Sequence, residues 1–168
     1  ADSVEVRVIV NGTSSNSVSV DLAPSSPGIF AAALEGRGAL GPNNPTRRGD
    51  ILVIFATGLG AVSNPRPSGE AARSNPLSTA VLPVQVRFGG IPSRVLFAGS
   101  APGFVGLYQI NVEVPTLVAS GDAISLTVSA GSRVSNQVYI PVQGDAPPFP
   151  PPQLTGFGTG NAAPAAAL

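Results

Sequence analysis

Cysteine, histidine, methionine and tryptophan are absent from this 168-residue chain, and all nine of its basic residues are arginine. Without cysteine there is no disulfide and no thiolate metal site. Without histidine the commonest general base and the commonest metal ligand are missing, so no enzyme activity and no cofactor are expected. Nine acids balance the nine arginines and only 11% of residues are charged, which leaves no electrostatic footprint for nucleic acid. No apolar run reaches the roughly 18 residues that suggest a membrane span, so no membrane insertion is expected. No cleavable signal peptide is visible, in keeping with a mature, processed product. The lack of oxidisable Cys and Met, with Ser-, Thr- and Asn-rich segments, suits an extracellular or cell-surface protein. A surface with so little charge repulsion favours ordered self-association.

What is present points to β-structure. Glycine (20) and proline (18) are abundant and 43% of residues are hydrophobic, enough for one β domain with extensions and unfavourable to long helices. The most informative feature is a repeat at a constant offset of 120, between residues 2–20 and 122–140. Asp2, Val8, Ser15, Asn16 and Val18 recur as Asp122, Val128, Ser135, Asn136 and Val138, while Val4, Val6 and Val20 recur as Ile124, Leu126 and Ile140. Each copy reads as a strand with alternate residues apolar, a turn, and a return around Ser-Asn-x-Val. A lone hairpin is marginal in water. The first copy is therefore expected to lie on this chain's own sheet, on a neighbouring molecule or on an upstream module.

Between the copies, Ala23–Gly28 reads as a stiff connector, and residues 29–34 as a short strand or a helical turn. The unbroken run Ile51–Ala56 predicts a strand buried on both faces. Residues 63–80, broken by Pro65, Pro67, Gly69 and Pro76, predict a long surface loop. Val84–Phe88, a Gly89-Gly90 turn and a strand over Ser93–Phe97 follow, then an alternating strand over Leu107–Val114 with Tyr108, Ile110, Val112 and Val114 on one face. The domains expected are residues 1–22 as a hairpin that packs on a neighbouring subunit or module, 23–143 as a β-sandwich, and 144–168 as a Pro-rich extended tail.

Other candidate sites have simpler readings. Gly58, Gly60, Gly89, Gly90 and Gly99 precede no helix, so turns are preferred to a phosphate loop. Glu35, Asp50 and Glu70 are spaced as solvated loop acids rather than as a glycosidase pair. Carboxylates and loop carbonyls suffice for calcium, although no Asp-x-Asp-x-Asp run is present to favour it. Asn11-Gly12-Thr13 is both a glycosylation acceptor and a type I′ hairpin turn; the turn is preferred, and the two are compatible. Phe104, Tyr108 and Tyr139 read as packing residues before they read as a sugar platform.

An ordered series carries a family resemblance. It comprises Ala23-Pro24-x-x-Pro27-Gly28-Ile29-Phe30, Gly49-Asp50, Ala56–Gly60, Phe88-Gly89-Gly90, Ala98-Gly99-x-Ala101-Pro102-Gly103 and Gly106–Pro115. Over roughly residues 23–142 it resembles the uncharacterised C-terminal domain of large secreted Solibacter-type bacterial proteins, and more distantly IPT/TIG immunoglobulin-like domains. The resemblance implies an all-β, immunoglobulin-like β-sandwich in a secreted, often multidomain protein, commonly following another β domain, with no known catalytic residue.

Together these features suggest a structural subunit of an extracellular filament or surface assembly that polymerises head to tail with itself by strand or hairpin complementation. Val4, Val6, Val8, Val10, Val18 and Val20 in the hairpin, with Phe149, Leu154 and Phe157 in the tail, are the expected interface residues. The alternative is an adhesin-like or carbohydrate-binding module of a larger exported protein, which would meet surface glycans through its 60–80 and 98–106 loops.

Overall fold

Alternation at a period of two gives a strand one apolar face, and two such faces must cover each other to leave water. The computed structural model describes residues 2–41 and 43–144, so the expectations for Phe149, Leu154, Phe157 and the tail lie outside the described residues. Every helix or strand within them is a strand: β1 (Ser3–Val6), β2 (Ile9–Val10), β3 (Thr13–Ser14), β4 (Val18–Asp21), β5 (Gly28–Leu34), β6 (Gly38–Ala39) and β7 (Ile51–Thr57). There follow β8 (Val84–Phe88), β9 (Ile91–Ser93), β10 (Val95–Ser100), β11 (Tyr108–Glu113), β12 (Gly121–Ala130), β13 (Arg133–Val134) and β14 (Val138–Val142).

One antiparallel sheet runs β10-β11-β7-β5-β6; the other runs β13-β12-β8-β9, with β14 also on β12. The protein is an all-β sandwich whose core lies between these sheets. Leu52, Ile54, Ala56, Ile110 and Val112 come from the first sheet, and Val86, Phe88, Leu126, Val128, Ala130, Ile140 and Val142 from the second. All are buried.

Several expectations hold. Residues 29–34 are strand, and Val84–Phe88 has the expected bounds. Ile110, Val112 and Val114 share the buried face, with Tyr108 packed against it. Three expectations are corrected. The strand Ile51–Ala56 is buried on one face only: Leu52, Ile54 and Ala56 are fully enclosed, while Ile51, Val53 and Phe55 are half-buried. Its outer face is that of a two-layer sandwich, shielded by its neighbours β5 and β11. Nor is Ser93–Phe97 one strand. The chain leaves the second sheet at Ser93 and joins the first at Val95, because Arg94 C=O accepts from Glu113 N–H at 3.0 Å while Ser93 Oγ–H donates to Glu113 C=O. The segment thereby ties the two layers together. Likewise Ala98–Ser100, expected in a loop, extends β10.

Candidate functional site

The repeat is reproduced at the level of backbone pairing. In the first hairpin Val4 faces Val20, Glu5 faces Ser19 and Val6 faces Val18; further along, Ile9 faces Ser14 and Val10 faces Thr13. In the second, Ile124 faces Ile140, Ser125 faces Tyr139, Leu126 faces Val138, Ser129 faces Val134 and Ala130 faces Arg133. Every one of these pairs is carried onto its counterpart by the same shift of 120, including the one-residue slip between the two parts of each hairpin. The slip is held by one side chain. Ser15 Oγ accepts from Val8 N–H at 3.1 Å and donates to Asn16 C=O at 2.8 Å. Ser135 Oγ does the same with Val128 and Asn136 at 3.0 and 2.7 Å. A hydroxyl can both accept and donate, which is what a bulged position with one unpaired N–H needs. At the tip Asn11 (φ 48°) and Gly12 (φ 81°) form the type I′ pattern that Asn-Gly favours.

The two copies differ in surroundings. Leu126, Val128, Ala130, Ile140 and Val142 are at most 3% exposed, whereas their counterparts Val6, Val8, Val10, Val20 and Leu22 are 45–62% exposed. Val4 and Val18 are exposed as well. Among the described residues β1 to β4 pair only with one another, so the expectation that the first hairpin might join this chain's own sheet is not met. All six valines named as interface residues therefore lie on one uncovered apolar face, that of the buried face of the second copy. Covering a half-exposed valine contributes roughly 1 kcal/mol, so the face carries a sizeable drive toward a partner sheet.

Asparagine marks the second difference. Asn136 Oδ1 accepts from Ile29 N–H at 2.7 Å, and its Nδ2 donates to Ile29 C=O at 3.2 Å. The amide thus takes the place of a paired strand along a stretch of β5 that β6 does not reach, since β6 meets only Ala33 and Leu34. Asn16, at the matching place, is exposed like Asn136, but among the described residues its side chain grips no backbone group.

The connector to the sandwich is seated firmly. Ser26 N–H donates to Gly58 C=O at 2.8 Å, and Ser25 Oγ–H, itself buried, donates to Ala130 C=O at 2.8 Å. A Cβ on Gly58 would stand 1.9 Å from Ser26 O, and one on Gly60 would stand 2.5 Å from Pro24 O. Gly58 and Gly60 therefore serve as a seat for the connector backbone. That reason was not legible in the sequence, which shows the glycines but not the chain that crosses them.

Of the three acids, Glu70 stays apart from the other two. Asp50 pairs with Arg37 and accepts from Arg47 N–H at 2.7 Å, while Glu70 pairs with Arg66 four residues before it. Glu35 borders a shallow hollow with Arg37 and Asp50. Among the described residues no group of three or more acids is placed to hold a metal ion. The aromatic side chains do not form one platform. Tyr108 is partly buried and its hydroxyl donates to Gly60 C=O at 2.5 Å, and burial raises its pKa above the ordinary value of 10.0. Tyr139 and Phe104 are exposed. Tyr139 borders a hollow of about 710 Å³ with Leu40, Asp122 and Gln143, and Phe104 borders another of about 320 Å³ with Arg66, Glu70 and Val105. The second hollow lies where the 63–80 loop is laced to the following loop, through Ala72 N–H to Phe104 C=O at 3.0 Å and Gly103 N–H to Ala72 C=O at 2.8 Å.

Comparison with family models, with curated proteins and with solved structures found no match to the chain.

Proposed function

We propose that this chain is a structural module of an extracellular or cell-surface filament or assembly, an immunoglobulin-like sandwich joined end to end with its neighbours by hairpin complementation. The observation that carries the reading is the apolar face of residues 4–22, which repeats the buried face of β12–β14 yet is uncovered. Strand addition suits it: backbone ladders supply affinity and alternate side chains supply register. The passage of the chain from one sheet to the other at Arg94 supports the immunoglobulin-like layout. The sparsely charged surface supports close packing of modules, and the absence of oxidisable Cys and Met supports exposure outside the cell.

Size-exclusion light scattering and negative-stain electron microscopy of the native assembly, with and without residues 2–22, test the proposal. Loss of assembly with an unchanged sandwich is the expected result; ordered particles that persist after the deletion would refute it. A second reading, an adhesin-like module, draws on exposed Phe104 and Val105 beside the Arg66–Glu70 pair at one loop end. A glycan array with the full chain tests it, and the absence of saturable binding counts against it.

A further inference from the structure

We infer that residues 2–22 close a β-sandwich of this same strand layout but of different core volume, the module preceding this one in the same polypeptide, and not a second copy of this chain. The inference rests on the complementation reading above and names its acceptor. The acceptor's layout follows from the register. A hairpin that reproduces the pairing of the second copy from Ile124–Ile140 to the turn, with the Ser15 bulge in place of the Ser135 bulge and a difference only at the open end, fits a sheet that offers an unpaired strand like β8. Asn16 then needs a backbone N–H and C=O placed as those of Ile29 are for Asn136.

A second copy of this chain offers neither. Its β8 is already paired on both sides, by β12 and β9, and its Ile29 is already gripped by Asn136. Displacing the resident hairpin would not help, because the side-chain volumes disagree in opposite directions. Val4, Val6 and Val20 in place of Ile124, Leu126 and Ile140 each remove a methylene and leave voids. Val10 in place of Ala130, which is fully buried, overfills the slot at the turn, and Leu22 in place of Val142 overfills it at the open end of the hairpin. A one-residue slip inverts the faces, and a two-residue slip takes Ser15 and Asn16 out of position. The cognate slot is therefore wider where this sandwich is narrow and narrower where it is wide. The entry into the hairpin fits a module in the same chain. In the second copy β12 is reached from β11 through Val114–Ser120, so the same register at β1 places an equivalent strand upstream. Complementation within one polypeptide needs no concentration of partner.

Hydrogen exchange of the backbone amides of residues 3–21 separates the outcomes, measured on this chain alone across a dilution series and on the native polypeptide with the residues encoded before it. The expected result is fast exchange in this chain at every concentration, and protection by on the order of a hundredfold or more in the longer polypeptide, independent of concentration. N16A should then raise exchange in the first hairpin of the longer form and leave residues 123–141 unchanged. Protection that grows with concentration in this chain alone would make the acceptor a second copy, overturning this inference while keeping the proposed function. Fast exchange in both forms would overturn both.

Discussion

The side-chain amide of Asn136 holds both backbone groups of Ile29, accepting from its N–H at 2.7 Å and donating to its C=O at 3.2 Å. One residue of the closing hairpin thus locks the second sheet to β5 of the first. A buried donor or acceptor stripped of its partner costs more than the bond itself contributes. N136A is expected to lower unfolding stability by about 2 kcal/mol, read from urea denaturation. N16A in the same chain is expected to change it by less than about 0.5 kcal/mol, since among the described residues the Asn16 side chain holds no such backbone pair. Equal losses from the two variants would contradict the placement of the first hairpin.

The leucine and valine at one position of the repeat make a second matched pair. Leu126 is fully buried and Val6 is 47% exposed. L126A should cost about 2–5 kcal/mol through lost transfer energy and the cavity left behind, and V6A should fall within about 0.5 kcal/mol of the parent. Thermal and urea unfolding followed by circular dichroism would measure both.

Gly58 has φ +69° and a carbonyl oxygen where a Cβ would go. G58A is expected to destabilise the sandwich by at least about 2 kcal/mol and to unseat the connector. Gly12 also has positive φ, but open space surrounds it, so G12A should affect only the turn of the first hairpin. Melting temperatures of the two variants, with protease sensitivity at residues 22–27, would check this. A G58A protein as stable as its parent would rule out the seat.

Burial raises the pKa of Tyr108 above 10.0. The neutral phenol is therefore favoured in the folded state. Below the unfolded pKa both states keep the proton, so this contribution to stability is fully present; it is lost as pH climbs from the unfolded value through the folded one. Stability measured by urea unfolding should thus fall above pH 10, and Y108F should flatten that alkaline limb. A limb of the same slope in Y108F would assign the loss to other groups.

The hairpins, the strand at Val84–Phe88 and the alternating face of Ile110, Val112 and Val114 were legible in the sequence because a half-buried strand writes its burial into alternate residues. So was the pairing of the repeat, since Ser-Asn-x-Val recurs with the turn at the same distance. The mistaken points share one cause. Ile51–Ala56 is apolar throughout and Ser93–Phe97 reads as the return from a Gly-Gly turn, and neither pattern reports which layer lies on each side or where a strand changes sheets.

Composition by itself determined the absence of thiol and imidazole chemistry, the β-rich character and the existence of two copies of one hairpin, because these depend only on which side chains are present and how they are spaced. Tertiary structure alone decided that one copy is core and the other is surface. Val8 and Val128 are the same residue, each bonded through its N–H to the serine seven residues on, yet burial belongs to the layer that covers a strand. That layer is the sheet of β10, β11, β7, β5 and β6 for one copy, and no sheet of the described residues covers the other.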